Sequence, residues 1–217
     1  MKVLNLYAGI GGNRKLWPND EIEVTAVEYN PEIAKIYQDF FPNDKVIVAD
    51  AHQYLLEHYK EFDFIWSSPP CQTHSKMNLG TRHKIIRYPD MSLYQEIILL
   101  KHFYNGRWVV ENIYPYYYPI IPAQKADRHY FWSNFLISNK IIYRPRFKSK
   151  NKNFGSSWLH AGKKEIQDWL GIYLEKNIYL NGNHCEVQIL RNCVHPQLGL
   201  HIFNCAFKEK QQILRTK

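Results

Sequence analysis

Leu4-Asn5-Leu6-Tyr7-Ala8-Gly9-Ile10-Gly11-Gly12 reads as an apolar strand running straight into a glycine-rich turn. Glycine has no Cβ, so such a turn lets the backbone come close to a ligand held at the strand's carboxyl end. A glycine turn alone says little. Its weight comes from Glu28, which closes the next apolar run, with Tyr29 behind it, where a carboxylate can accept hydrogen bonds from ribose hydroxyls. Asp50, followed by Ala51, stands at the end of the run 46–48 in the same way. Two acidic residues at successive strand ends suit a nucleoside with free sugar hydroxyls and an exocyclic amine, whereas a dinucleotide site calls only for the first. Asp50 also stands where it would cap a helix beginning at Ala51.

Outward from that stretch, strand-length apolar runs recur at 3–7, 22–27, 46–48, 62–66 and 108–110. Helical spacing separates several of them, at 31–40, 51–59 and 92–104. Asn30-Pro31 is a helix start, a cap followed by a first-turn proline. The alternation predicts βαβ units, hence an α/β fold: a mainly parallel sheet covered on both faces, with ligands at the carboxyl ends of its strands. After Asn134 the character changes. Arg144, Arg146, Lys148, Lys150 and Lys152 fall at every second position, which puts all five cations on one side of an extended segment. A solvated loop competes with a phosphate-contacting ribbon there. The pattern divides the chain into a main domain, 1–134 with 187–217, and a small inserted lobe, 135–186. Helical spacing of Leu198, Ile202, Phe203, Ala206 and Phe207 predicts a helix over 196–214 that returns to the main sheet.

A chain of 217 residues can bury one good core. Its formal net charge of +8 favours a polyanionic partner without proving one. The N-terminus enters a strand pattern with no leader, and charges and prolines interrupt every apolar run, so a soluble, cytoplasmic chain with no membrane span is expected. The cysteines at 71, 185, 193 and 205 lack paired close spacing and read as free thiols. His184-Cys185 with Cys193 and His195 fits no standard zinc spacing, so no metal is expected.

The chemistry centres on Ser68-Pro69-Pro70-Cys71-Gln72, directly after the run 62–66. Adjacent prolines stiffen the backbone at a strand exit and hold the cysteine at the mouth of the sheet rather than inside it. A thiol so placed is a candidate nucleophile, and the basic segment from Lys76 to Arg87 stands ready to lower its pKa and to close over an anionic substrate. Glu111 ends another apolar run, where a carboxyl can exchange a proton with a ring nitrogen of a base. In the small lobe Trp158 and Trp169, beside Lys163 and Lys164, are candidate base-stacking residues, while Ile166, Trp169 and Leu170 equally make an apolar helix face over the lobe's own core.

The ordered set Tyr7 to Gly12, Glu28, Asp50, Pro69-Pro70-Cys71-Gln72 and Glu111-Asn112-Ile113 resembles the DNA cytosine-5 methyltransferase family. Downstream, Gln124-Lys125-Ala126-Asp127-Arg128 is similar to the family's Gln-x-Arg-x-Arg element, and Arg191-Asn192-Cys193-Val194-His195-Pro196 to its Gly-Asn-Ser-Val-x-Pro element. Ala126 replaces the first arginine and Arg191 the glycine, and the span between Asn134 and Glu186 is short for a target recognition lobe. The resemblance implies a Rossmann-like class I sheet that binds S-adenosylmethionine, with Tyr7, Ala8, Gly9, Ile10, Gly11, Gly12, Glu28, Tyr29, Asp50, Ala51, Pro69, Asn192 and Cys193 as cofactor contacts. It implies that Cys71 adds to C6 of a cytosine flipped out of duplex DNA, that Glu111 protonates N3, and that Arg128 steadies the base. Gln72, Thr73, Ser75, Lys76, Arg82, Lys84, Arg87, Arg144, Arg146 and Lys148 would contact DNA. A monomer is expected, with a restriction endonuclease or other accessory factor as a candidate partner. Methylation of an exocyclic amine, methylation of RNA cytosine, and a catalytically silent nucleic-acid-binding module remain the alternatives.

Overall fold

The computed structural model describes residues 1–76, 87–147, 156–157, 160–179 and 185–208. Strands β1 (Lys2–Leu6), β2 (Glu23–Glu28), β3 (Lys45–Val48), β4 (Phe64–Ser67), β5 (Arg107–Ile113), β6 (Gln124–Ala126) and β7 (His129–Ser133) form one sheet of seven strands in the order β3-β2-β1-β4-β5-β7-β6. The first five run parallel, while β7 pairs antiparallel with both β5 and β6. This is the expected Rossmann-like class I sheet. Its strand order reverses at β1, between β2 and β4, and that reversal opens a crevice at the carboxyl ends.

Alternation along each strand divides the core. Val3, Phe64, Trp66 and Val109 face one side with Trp17, Leu198, Ile202 and Phe203, whereas Leu4, Leu6, Ile65 and Val110 face the other with Leu55, Ile97 and Leu100. The second layer belongs to helices α2 (Ala51–His58) and α3 (Ser92–Phe103), the first to α6 (Pro196–Phe207). Burial on both faces explains why the strands read as unbroken apolar runs. Asn30 caps α1 (Pro31–Phe40) by accepting from the amides of Glu32 and Ile33, as its sequence predicts. Helix α6 begins at Pro196 as expected but ends at Phe207, since Lys208 is extended; residues 209–214 of the expected helix lie outside the described residues.

Two features depart from a simple βαβ repeat. The β6–β7 hairpin, which sequence reading treated only as a motif, closes the sheet on one edge. The link from β1 to β2 is a series of turns without a helix. It is held instead by Arg14, whose guanidinium donates from Nε and Nη2 to the buried Asp44 carboxylate at 3.0 Å each, by Tyr37 donating to the same carboxylate at 2.9 Å, and by paired amides of Asn5 and Asn13. A buried pair of this kind is retained where its geometry is fixed, and here it fixes the glycine turn. Residues of the segment expected as a small lobe pack into two clusters with main-domain residues: Phe135, Ile137 and Ile142 with Val3 and Phe64, and Ile166, Leu170 and Ile172 of the α4 (Lys163–Leu170) region with Ile10 and Ile33.

Candidate active site

A cavity of about 640 Å³ opens at the carboxyl ends of β1, β2, β4 and β5. The turn after β1 lines it with Tyr7, Ala8, Gly9, Ile10 and Gly12, and the end of β2 with Glu28 and Tyr29. Asp50 and Ala51 enter from the start of α2, and Pro69, Cys71 and Gln72 from the turn after β4. Glu111 comes from β5, Arg128 from the β6–β7 turn, and Asn192 and Cys193 from the segment between α5 (Gln188–Arg191) and α6. Gly11 alone of the expected cofactor residues stands back from the cleft. A Cβ there would lie 2.2 Å from the Phe41 ring, so its glycine serves close packing against α1.

The cofactor side is held by backbone. Glu28 accepts the Gly9 amide on Oε2 and the Asn30 amide on Oε1, each at 3.0 Å, which orients the carboxylate and leaves each oxygen a further lone pair. Gly9 sits at φ +55, a left-handed conformation that glycine adopts without cost. Gly12 meets Cys193 so closely that an added Cβ would lie 2.8 Å from the Cys193 Cβ and 2.7 Å from the Val194 carbonyl oxygen. Burial pushes the Cys193 thiol up to about 12, and its Sγ donates to the Ile189 carbonyl oxygen. Asp50 caps α2 by accepting the Gln53 amide at 2.9 Å, so its capping and its place in the cleft coexist.

The opposite wall carries Cys71 and Glu111, the groups expected from sequence to be reactive. The turn from Pro69 to Ser75 is docked on the chain after β5: the Asn112 side-chain amide donates to the Pro69 carbonyl at 3.0 Å, the Tyr116 amide donates to the His74 carbonyl at 3.1 Å, and Ser75 bridges to Pro115. Burial pushes the Cys71 thiol up to about 11, and the neighbouring Glu111 carboxyl adds to the rise. This corrects the expectation that basic residues would lower it. Lys76 and Arg87 are exposed, and Arg82 and Lys84 lie outside the described residues. Glu111 is itself enclosed, and loss of hydration pushes its carboxyl up to about 7, moderated by a hydrogen bond with Ser68.

Three participants had no role assigned from sequence, where Ser68 and Asn112 stand only as parts of motifs. Ser68 touches Glu111, Asn112 ties β5 to the cysteine turn, and His129 places Nε2 3.6 Å from Glu111 Oε1. Burial, with Arg128 nearby, pushes His129 down to about 4, so it faces Glu111 neutral. The alternating residues His129 to Ser133 carried the strand signal that would have found it.

The remaining candidates are scattered more widely. Thr73 Oγ1 accepts the Asp90 amide at 3.0 Å. Arg144 is half-buried with its guanidinium 4.7 Å over the Trp169 ring, whereas Arg146 is exposed, so these two do not present alike. Lys148 and Trp158 lie outside the described residues. Ile166 and Leu170 are buried with Trp169 packed against them, so α4 does present an apolar face, but the core it covers is shared with Ile10, Ile33, Ile189 and Leu190 and is not the lobe's own. Both ring nitrogens of His195 are engaged, Nε2 with the Trp169 carbonyl and Nδ1 with the Gln197 amide, so it caps α6 and is not a metal ligand.

The family model described as C-5 cytosine-specific DNA methylase matches residues 1–110. Among curated proteins none matches. Of solved structures, a DNMT2 mutant from Spodoptera frugiperda is 27% identical over 52% of this chain and 35% of its own, with a TM-score of 0.37. An S-adenosylmethionine-dependent methyltransferase from Agrobacterium tumefaciens is 15% identical over 57% of this chain and 40% of its own, with a TM-score of 0.38. The match thus spans about a third of the insect chain.

Proposed function

Since the chain belongs to the C-5 cytosine-specific DNA methylase family, we propose that it methylates C5 of cytosine in duplex DNA, with Cys71 as nucleophile, Glu111 as proton donor to N3 and Arg128 as the substrate-side cation. S-adenosylmethionine is the cofactor of this family and, when bound, supplies an electrophilic sulfonium methyl group. The chain's residues fit it. Glu28 presents an oriented carboxylate to ribose hydroxyls, Asp50 a second one to the nucleoside, and the turn from Gly9 to Gly12 a backbone surface closed by Cys193.

The observation that carries this reading is the sharing of one cleft by Cys71, Glu111 and that glycine turn. Cytosine C5 is a poor nucleophile. Addition of the Cys71 sulfur to C6, with the thiol proton released to water, makes C5 enamine-like, and a proton from Glu111 to N3 offsets the charge pushed into the ring. Burial pushes Glu111 up to about 7, which favours the protonated form that this step needs. Once C5 carries the donated methyl group, loss of the C5 proton to water, expulsion of Cys71 as a thiolate and return of the N3 proton to Glu111 restore the aromatic ring. C5 and C6 are stacked inside a duplex, so the base must be flipped out at a cost of roughly a few kcal/mol. Gln72, Thr73 and Ser75 continue the cysteine turn and stand where they would meet the base or its 5′ phosphate. Residues 135–186 serve as the recognition lobe.

The test uses matched DNA and RNA oligonucleotides with 5-fluorocytosine at a methylated position. The expected result is an irreversible adduct with DNA, mapped to the peptide holding residue 71 and lost in Cys71→Ala, which still binds S-adenosylhomocysteine. An accepted site that never forms the adduct refutes the covalent scheme; adducts with RNA alone refute the DNA assignment.

A further inference from the structure

Glu96 on α3 is a carboxylate with no exposed surface, in the middle of a face otherwise made by Leu93, Tyr94, Ile97 and Leu100. Three side chains converge on it from three different elements. The Tyr7 hydroxyl donates to Oε1 at 2.7 Å, the Ser67 hydroxyl to Oε2 at 2.6 Å, and His52 Nδ1 stands 3.0 Å from Oε1. An ionised carboxylate is costly to bury unless it is fully hydrogen-bonded, and an apolar residue at this position would complete the α3 face without that cost. These donors have one thing in common. Tyr7 opens the glycine turn, His52 follows Asp50 and Ala51 in the first turn of α2, and Ser67 leads into Ser68 and Pro69. Each is a cleft residue or adjoins one.

Tyr7 adds a second observation. Its φ is +54, a left-handed conformation that bulky residues keep only where their surroundings impose it. Burial and Glu96 push its phenol well above the ordinary range, so it stays a donor at every working pH. His52 is pushed up, chiefly by its hydrogen bond with Glu96. Separately, the start of the same helix is tied to the cysteine turn: Asp90 accepts from Ser92 at the start of α3 while its amide donates to Thr73, two residues beyond Cys71.

We infer that Glu96 is a positioning residue for the cofactor: it pins the ends of β1 and β4 and the first turn of α2 in one arrangement, so that the glycine turn, Asp50 and the Pro69-Pro70 turn form a cleft before any ligand arrives. This rests on the cofactor side of the reading above. Without the carboxylate, three uncoupled segments would have to be ordered on binding, and affinity would fall although Glu96 touches no ligand.

The experiment measures the dissociation constant for S-adenosylhomocysteine, with KM and kcat, for wild type, Tyr7→Phe, Glu96→Gln and the double variant. Glu96→Gln should weaken binding about 10-fold and raise the KM for S-adenosylmethionine to match, with kcat within about 3-fold of wild type. Tyr7→Phe should weaken binding about 5-fold, and the double variant should be no worse than Glu96→Gln, because both break one network. Additive losses, or a folded Glu96→Gln with wild-type affinity, overturn the inference. Should Glu96→Gln not fold, Tyr7→Phe and Ser67→Ala decide it: weakened binding in both supports the network, and unchanged binding in both overturns it. A wild-type chain that binds no S-adenosylhomocysteine instead overturns the cofactor reading, and this inference with it.

Discussion

The two walls of the cleft are built on opposite principles. On the glycine-turn side, polar groups are satisfied: Glu28 accepts two backbone amides, Asp50 accepts a helix amide, and Gly12 is packed against Cys193. On the other, burial pushes both Cys71 and Glu111 toward their neutral forms, one up to about 11 and the other up to about 7. The difference teaches where binding and chemistry reside. A ligand that is only held needs a preformed surface, whereas a ring that is to be protonated, as in the proposed reaction, needs an acid whose charge changes near neutral pH, which on this wall is Glu111.

The sharpest way to break this contrast is Glu111→Gln. Loss of the acid should lower kcat by roughly 10²- to 10⁴-fold in a methyl-transfer assay, with S-adenosylhomocysteine affinity within about 2-fold of wild type. The same change should raise stability. The folded value of about 7 stands above the ordinary 4.5, so the unfolded chain ionises first as pH rises. Stability is fully retained below about 4.5, falls between 4.5 and 7, and stays reduced above 7. Glutamine should therefore recover up to about 3 kcal/mol at pH 8, read from denaturant unfolding. A variant that is less stable than wild type at pH 8 would mean that Glu111 is not strained by burial.

Changes on the binding wall should show the reverse signature. Gly12→Ala drives a methyl group into Cys193 and the Val194 carbonyl, at a cost of about 1–3 kcal/mol in stability and a matching rise in KM for the cofactor, measurable by thermal unfolding and steady-state kinetics. Glu28→Gln turns an amide donor toward either the Gly9 or the Asn30 N–H, and should weaken S-adenosylhomocysteine roughly 10-fold by calorimetry with kcat little altered. The smallest effect is expected from pH itself. If one of Cys71 and Glu111 must be protonated and the other not, kcat/KM should be level between about 7 and 11 and fall outside that window. A profile that climbs tenfold per unit from pH 7 to 9 would show that the thiol alone titrates.

Much of the fold was legible because it is local. The runs that became β1, β4 and β5 are apolar enough to be buried on both faces, Asn30 caps the helix it precedes, and Glu28 and Asp50 stand at strand ends where spacing alone locates them. The β6–β7 hairpin was not read because its residues were taken for a motif, and His129 was lost with it. Glu96 was hidden in an apolar helical stripe, where one charged residue looks like an exposed position until the chain folds.

Residue order by itself determined which segments would be strands, where the glycine turn and the paired prolines would fall, and which thiol and carboxyl would end up at a strand mouth, since these follow from spacing and from backbone freedom. Only the tertiary structure decided that Cys71 and Glu111 are both pushed toward their neutral forms, and that a tyrosine at one end of the chain donates to a carboxylate 89 residues away. Desolvation and long-range hydrogen bonds depend on what surrounds a group, and no neighbour in sequence specifies that.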